Sequence, residues 1–185
     1  MKKLLKSSLL ALILVIQLFN IPAKASNDVS LWINGKYVKS DVSPIVENNR
    51  TLVPIRVLSE SLGYKVEWDP KYNNITVVKF NESQKTFTNL FVLTIDSNTV
   101  LNFKADNLNT LFINPGSSDN FNGIVKNSAQ KIEMDVTPKI VNNRTYVPVR
   151  VISELMGEKV EWDNKSNTVV VGNYVDYASQ KIASR

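Results

Sequence analysis

The same phrase is written twice in this chain. Residues 44–73 read PIVENNRTLVPIRVLSESLGYKVEWDPKYN, and residues 138–167 read PKIVNNRTYVPVRVISELMGEKVEWDNKSN. The copies stand 94 residues apart and agree at 19 of 30 positions without a gap. That period is too long for a solenoid and matches a small αβ unit, so it predicts one module, duplicated.

Each copy carries the signals of strand, turn, helix and a further pair of strands. Asn48-Asn49 and Asn142-Asn143 are turn pairs, because Asn tolerates a positive φ. Strands follow at 50–53 and 144–147, ended by Pro54 and Pro148, which suit a first helical position where a missing N–H costs nothing. Ile55, Leu58 and Leu62 then fall at i, i+3 and i+7, as do Val149, Ile152 and Met156. Gly63 and Gly157 stand where a helix end wants a left-handed residue. Helices this short, under the roughly 12–15 residues of marginal independent stability, need a sheet to hold them. Val66-Glu67-Trp68-Asp69 and Val160-Glu161-Trp162-Asp163 alternate as strands, and polar turns lead to further strands at 75–78 and 168–171. Outside the copies, Asn34-Gly35 predicts a hairpin within 30–38, and 87–95 with 100–105 predict another over Asp96-Ser97-Asn98. Residues 107–128, rich in Asn with Gly116 and Gly123, read as a surface insertion.

The start of the chain reads as an address. Lys2, Lys3 and Lys6 form a basic region, residues 9–19 an apolar run broken only by Gln17, and Ala23-Lys24-Ala25 a signal-peptidase site. The run falls short of the ~20 residues of a bilayer span. We therefore expect a signal peptide over 1–25, a mature protein from Ser26, no stable membrane span after cleavage, and a secreted, extracellular or wall-associated location. Lys+Arg number 22 against 17 Asp+Glu, a net +5, but removing Lys2, Lys3, Lys6 and Lys24 leaves +1. A balance so near neutral supplies no basic stripe for a nucleic-acid partner. There is no cysteine, so no disulfide staples the fold and no lipobox anchors it.

Asn34-Gly35-Lys36 opens a longer pattern. Arg50-Thr51, Val53-Pro54, Arg56, Glu60, Gly63, Val66 and Trp68-Asp69 continue it; Arg144-Thr145, Val147-Pro148, Arg150, Glu154, Gly157, Val160 and Trp162-Asp163 repeat it. In these residues the chain resembles the copper amine oxidase N-terminal-like, or stalk, domain family. The second opening is blurred, Asn122-Gly123 being the nearest echo of Asn34-Gly35. The resemblance implies an α+β fold in a secreted or envelope protein: a duplicated unit of short antiparallel strands around one short helix per half, with a pseudo-two-fold. On that basis residues 26–173 form the stalk-like domain (first half 28–80, hairpin and insertion 81–128, second half 129–173), and 174–185 a C-terminal tail.

The resemblance does not carry an activity with it. Copper amine oxidases hold copper through three histidines and make a quinone from the Tyr of an Asn-Tyr-Asp/Glu motif. This chain has no histidine, and its nearest string, Asn173-Tyr174-Val175, fails at the third place. Without His or Cys the usual copper and zinc ligand sets and the serine and cysteine triads are missing. We expect no catalytic, cofactor-binding or metal-binding residue.

Arg56 with Glu60, and Arg150 with Glu154, lie one helical turn apart and read as i,i+4 ion pairs worth ~0.2–0.5 kcal/mol each. The competing reading makes the arginines grips for an anionic wall polymer. Trp68 and Trp162, at one fixed strand position per copy, are expected as core anchors, with sugar-stacking platforms as the alternative. Trp32, Tyr37, Tyr72, Tyr174 and Tyr177 do not repeat and are candidates for a binding surface. Arg50, Asp69, Arg144 and Asp163 join the prolines, glycines and paired tryptophans as structural motif positions. Asp163–Asn167 lacks the glycine and terminal Glu of a calcium loop and predicts an Asx-type turn. Glu67 with Asp69, and Glu161 with Asp163, share a strand face, whereas glycosidase carboxylates come from separate elements flanking a cleft. The expected function is a secreted, non-catalytic cell-envelope module that binds or spaces, its partner a wall polymer or envelope protein. An accessory subunit of a separate exoenzyme and a carboxylate-only hydrolase are the alternatives.

Overall fold

Short strands broken by Asn and Gly turns build most of the computed structural model, which describes residues 28–103 and 128–183. The expected signal peptide over 1–25 and residues 107–127 of the expected insertion lie outside the described residues. Strands β1 (Ser30–Ile33) and β2 (Lys36–Val38) turn at Asn34-Gly35. Strands β3 (Ile45–Glu47) and β4 (Arg50–Pro54) turn at Asn48-Asn49. Helix α1 (Ile55–Ser61) leads to β5 (Lys65–Asp69) and β6 (Asn74–Asn81). The predicted hairpin follows as β7 (Thr86–Thr94) and β8 (Thr99–Phe103), with β9 (Ala129–Glu133) beyond it. The second copy gives β10 (Lys139–Val141), β11 (Arg144–Pro148), α2 (Val149–Leu155), β12 (Val160–Asp163) and β13 (Thr168–Val171). Helix α3 (Tyr174–Ala183) closes the chain.

The class is α+β, with three sheets ordered β12-β13-β1-β2, β10-β11-β4-β3 and β5-β6-β7-β8-β9. In the second sheet β4 meets β11 antiparallel, Val53 opposite Val147, Leu52 opposite Pro148 and Pro54 opposite Tyr146. The expectation of antiparallel strands throughout is corrected by β1 and β13, which run parallel from Ser30↔Thr168 to Ile33↔Val171. These strands come from opposite ends of the sequence, so no hairpin turn dictates their direction.

The Asn turns take the conformation their side chains permit, with φ of 49° and 58° at Asn48 and Asn49 and the same values at Asn142 and Asn143. Both short helices end as expected: Gly63 has φ 77°, and the Tyr64 N–H reaches back to the Ser59 carbonyl at 2.9 Å. Pro54 and Pro148 sit one residue earlier than expected, capping the helices rather than opening them.

One core joins all three sheets to α1 and α2. Val53 and Val147 point into it with Leu58, Leu62, Ile152 and Met156 of the helices, Phe91 and Leu93 of β7, and Leu31 and Ile33 of β1. Leu52 and Tyr146 alternate to the far face of their sheet and pack with Val136. The segment read as a C-terminal tail is α3, started by Asn173, whose Oδ1 accepts the Val175 N–H at 3.0 Å. It covers the outer face of the β1–β13 sheet, burying Trp32, Val170 and Tyr177.

Two aromatic expectations are reversed. Trp32, expected on a binding surface, is fully buried beneath α3, with Nε1 donating to Gln180 Oε1 at 3.1 Å. Trp68 and Trp162, expected in the core, are 41% and 36% exposed. Val66 and Val160, two residues earlier on the same strand face, take the inward places. A seven-residue helix is only about 10 Å long, while a strand advances about 3.3 Å per residue. The helix therefore ends before it covers the tryptophan.

Candidate functional site: two grooves with exposed tryptophans

The displaced tryptophans each stand in a groove. The first, about 550 Å³, is lined by Asp41, Pro54, Arg56, Val66, Trp68 and Arg144, among others. The second, about 310 Å³, is lined by Asp135, Pro148, Arg150, Val160, Trp162 and Arg50. Each residue of the first set has its counterpart 94 positions away in the second. Asn143 and Thr145 in the first groove answer to Asn49 and Thr51 in the second.

Each groove is assembled from both copies by an ion pair that crosses between them. Arg144 donates from Nε and a terminal nitrogen to Asp41 Oδ2, at 3.0 and 2.6 Å. Arg50 donates from Nε to Asp135 Oδ2. The Arg144 guanidinium holds the Asp41 carboxyl below the usual carboxylate range. These pairs join β4 and β11 to the loops before β3 and β10. The matched Asp41-Val42-Ser43-Pro44 and Asp135-Val136-Thr137-Pro138 extend the written repeat upstream, and that extension was the sequence signal for both pairs.

The other predicted positions divide. Arg56 pairs with Glu60 at 3.9 Å on the exposed face of α1, as expected for i,i+4 partners. The matching Arg150–Glu154 pair does not close to ion-pair distance, and Arg150 lines the second groove, as Glu161 does. Tyr37 and Tyr72 are 56% and 59% exposed but line neither groove; Lys71 lies over the Tyr72 ring at 4.9 Å. Asp163 accepts the N–H two residues on at 2.9 Å, giving the predicted Asx turn, and Asp69 does the same at 2.9 Å in the first copy. Glu67 and Glu161 are exposed, and of the four strand carboxylates Glu161 alone lines either groove.

Asp163 has a second role that Asp69 lacks. Buried under α3, it accepts hydrogen bonds from Tyr177 Oη at 2.7 Å and Ser166 Oγ at 2.8 Å, and from Lys181 Nζ. Lys181 and then Tyr177 hold its carboxyl far below the usual range, and Asp163 in turn raises Lys181. This cluster fixes α3 to the sheet. Among the described residues no helix is long and apolar enough to cross a membrane.

Compared with known families, the chain matches the copper amine oxidase N-terminal domain over residues 32–171, well over half its length. The chain belongs to that family. The matched region is the family's N-terminal domain, distinct from the oxidase domain that holds copper. Neither the curated proteins nor the solved structures give a match. Copper does not fit the donors present in this family member: the chain has no His and no Cys, and among the described residues no three carboxylates gather as a metal site.

Proposed function

We propose that this stalk-domain chain is a secreted, non-catalytic cell-envelope module whose two halves are related by a pseudo-two-fold, and that its twin grooves hold a wall polymer or envelope protein. The two-fold reading is supported by the β4–β11 register, in which Val53 faces its own repeat mate Val147. The reciprocal Arg50–Asp135 and Arg144–Asp41 pairs support it too. One observation carries the binding assignment: both copies leave a tryptophan in water, each in a groove of matched residues. A tryptophan kept only for stability belongs in the core, where its large area is removed from water.

The test is retention of the purified protein on isolated cell wall and on immobilised culture-supernatant proteins. Retention on wall, lost in the Trp68→Ala/Trp162→Ala double variant, supports a polymer-binding module. A stoichiometric protein partner lost in the same variant supports the accessory reading. Retention that ignores both tryptophans overturns the groove assignment, and turnover of the wall glycan overturns the non-catalytic one.

A further inference from the structure

We infer that the two grooves take one class of ligand, an uncharged, hydroxyl-rich polysaccharide, and read it bivalently, each tryptophan stacking against a sugar ring. The inference rests on the binding-module reading above and adds the chemistry of the ligand.

The charges in the grooves argue first. Arg144 and Arg50, the guanidinium groups that cross between copies, are already committed to Asp41 and Asp135. Arg56 is offset by Glu60, which leaves Lys39 as the single excess charge of the first lining. In the second lining Arg150 is offset by Glu161. A polyanion is drawn by a field of one sign, and neither groove has one. Each lining instead holds guanidinium, carboxylate and Asn143 or Asn49 amide groups together with its tryptophan. A hydroxyl both donates and accepts, so a lining that holds donors and acceptors together suits a sugar better than a phosphate or a carboxylate.

The exposed indoles supply the second half of the fit. A pyranose ring has an apolar C–H face and a polar edge, and an indole is likewise an apolar body with a polar handle. Grooves of about 550 and 310 Å³ fall at or near the lower part of the range for sites that hold small organic ligands. Two such sites on one chain favour a repeating ligand, because a polymer held at one groove raises the effective concentration of its next repeat at the other.

The three tryptophans make the experiment direct: Trp32 is buried, and Trp68 and Trp162 stand in the grooves. We would titrate the full chain with chitohexaose and with cellohexaose, following iodide quenching of tryptophan emission, and use poly(glycerol phosphate) as the anionic control. Either hexamer should shield the two groove tryptophans and leave Trp32 emission unchanged, with two molecules bound per chain. Trp68→Ala or Trp162→Ala should reduce that to one, with the remaining site within about threefold of its original Kd. Retention on the matching insoluble glycan should fall at least tenfold in either single variant and vanish in the double variant. Far-UV circular dichroism and unchanged Trp32 emission establish that the variants fold.

Shielding by poly(glycerol phosphate) alone, weakening steeply with salt, would overturn the inference while leaving the groove assignment standing. Shielding by a protein from the culture supernatant, with neither hexamer active, would do the same. No shielding by any of these or by whole cell wall would overturn both.

Discussion

Removing the Tyr177 ring should cost about 3–5 kcal/mol and free α3 from the sheet. The side chain is 1% exposed, with its ring 5.6 Å from Trp32 at 72° and 5.5 Å from Tyr174. Burying an aromatic of this size contributes about 1.5–3 kcal/mol, and well-placed ring pairs add about 0.5–1.5 kcal/mol each. The total agrees with the range for large aromatic-to-alanine changes in cores. The hydroxyl is separable from the ring. Tyr177→Phe keeps the packing but removes the bond to Asp163 at 2.7 Å and the contact with Ser166 at 2.8 Å. Asp163 would still receive Ser166, Lys181 and the Lys165 N–H, so the expected loss is about 1–2 kcal/mol. Urea denaturation followed by tryptophan emission reads both variants, because Trp32 lies against the ring; hydrogen exchange across 174–183 reads α3 itself. If alanine costs no more than phenylalanine, and exchange across 174–183 is unchanged, the ring does not hold the helix and the reasoning fails.

Trp68→Ala and Trp162→Ala should each cost under about 1 kcal/mol in the same denaturation assay, as half-exposed positions do; losses near 3 kcal/mol would return them to the core. Asp163 is held below its ordinary value of about 3.9, so its contribution is complete above that pH and fades as pH falls toward its folded-state value. Asp163→Asn should therefore lower stability at neutral pH and flatten the acid limb below about pH 4; parallel limbs would contradict the assignment. The Ser59 and Ser153 hydroxyls are buried without a hydrogen-bond partner in the core under their helices. Ser59→Ala and Ser153→Ala should each raise the unfolding free energy read from the same denaturation assay by about 1 kcal/mol, and a loss of stability in either would show the hydroxyl to be satisfied.

Turns and short helices were legible because their chemistry is local. Asn48-Asn49 needs only its own tolerance of positive φ, and Gly63 only the absence of a Cβ. The tryptophans were misread because alternation gives a face and not a depth: Val66 and Trp68 share a face, but the helix is too short to cover both. The pairing of β1 with β13 left no trace, since nothing in either strand names a neighbour so distant in sequence. Helix α3 could have been found. Asn173 and Asp176 mark its start, and Tyr174, Tyr177 and Ala178 recur at helical spacing. Arg50 and Arg144 were legible as structural motif positions, while their carboxylate partners Asp41 and Asp135 were missed because they lie upstream of Pro44, where the aligned repeat begins.

The parallel contact between β1 and β13 bears on synthesis. Ser30 is among the first described residues to leave the ribosome, and its neighbour Thr168 is among the last. Until β13 emerges, β1 has only its hairpin with β2, and a two-stranded ribbon is marginal alone. Leu31 and Ile33 wait for Val169 and Val171, and Trp32 waits longer, for α3. Contacts this far apart in sequence close late and slowly. A nascent chain can therefore pair β5 to β9 early but completes the β12-β13-β1-β2 sheet only once Thr168–Val171 has emerged, and a product cut short before Thr168 leaves β1 without its partner. In this arrangement the fold checks its own length.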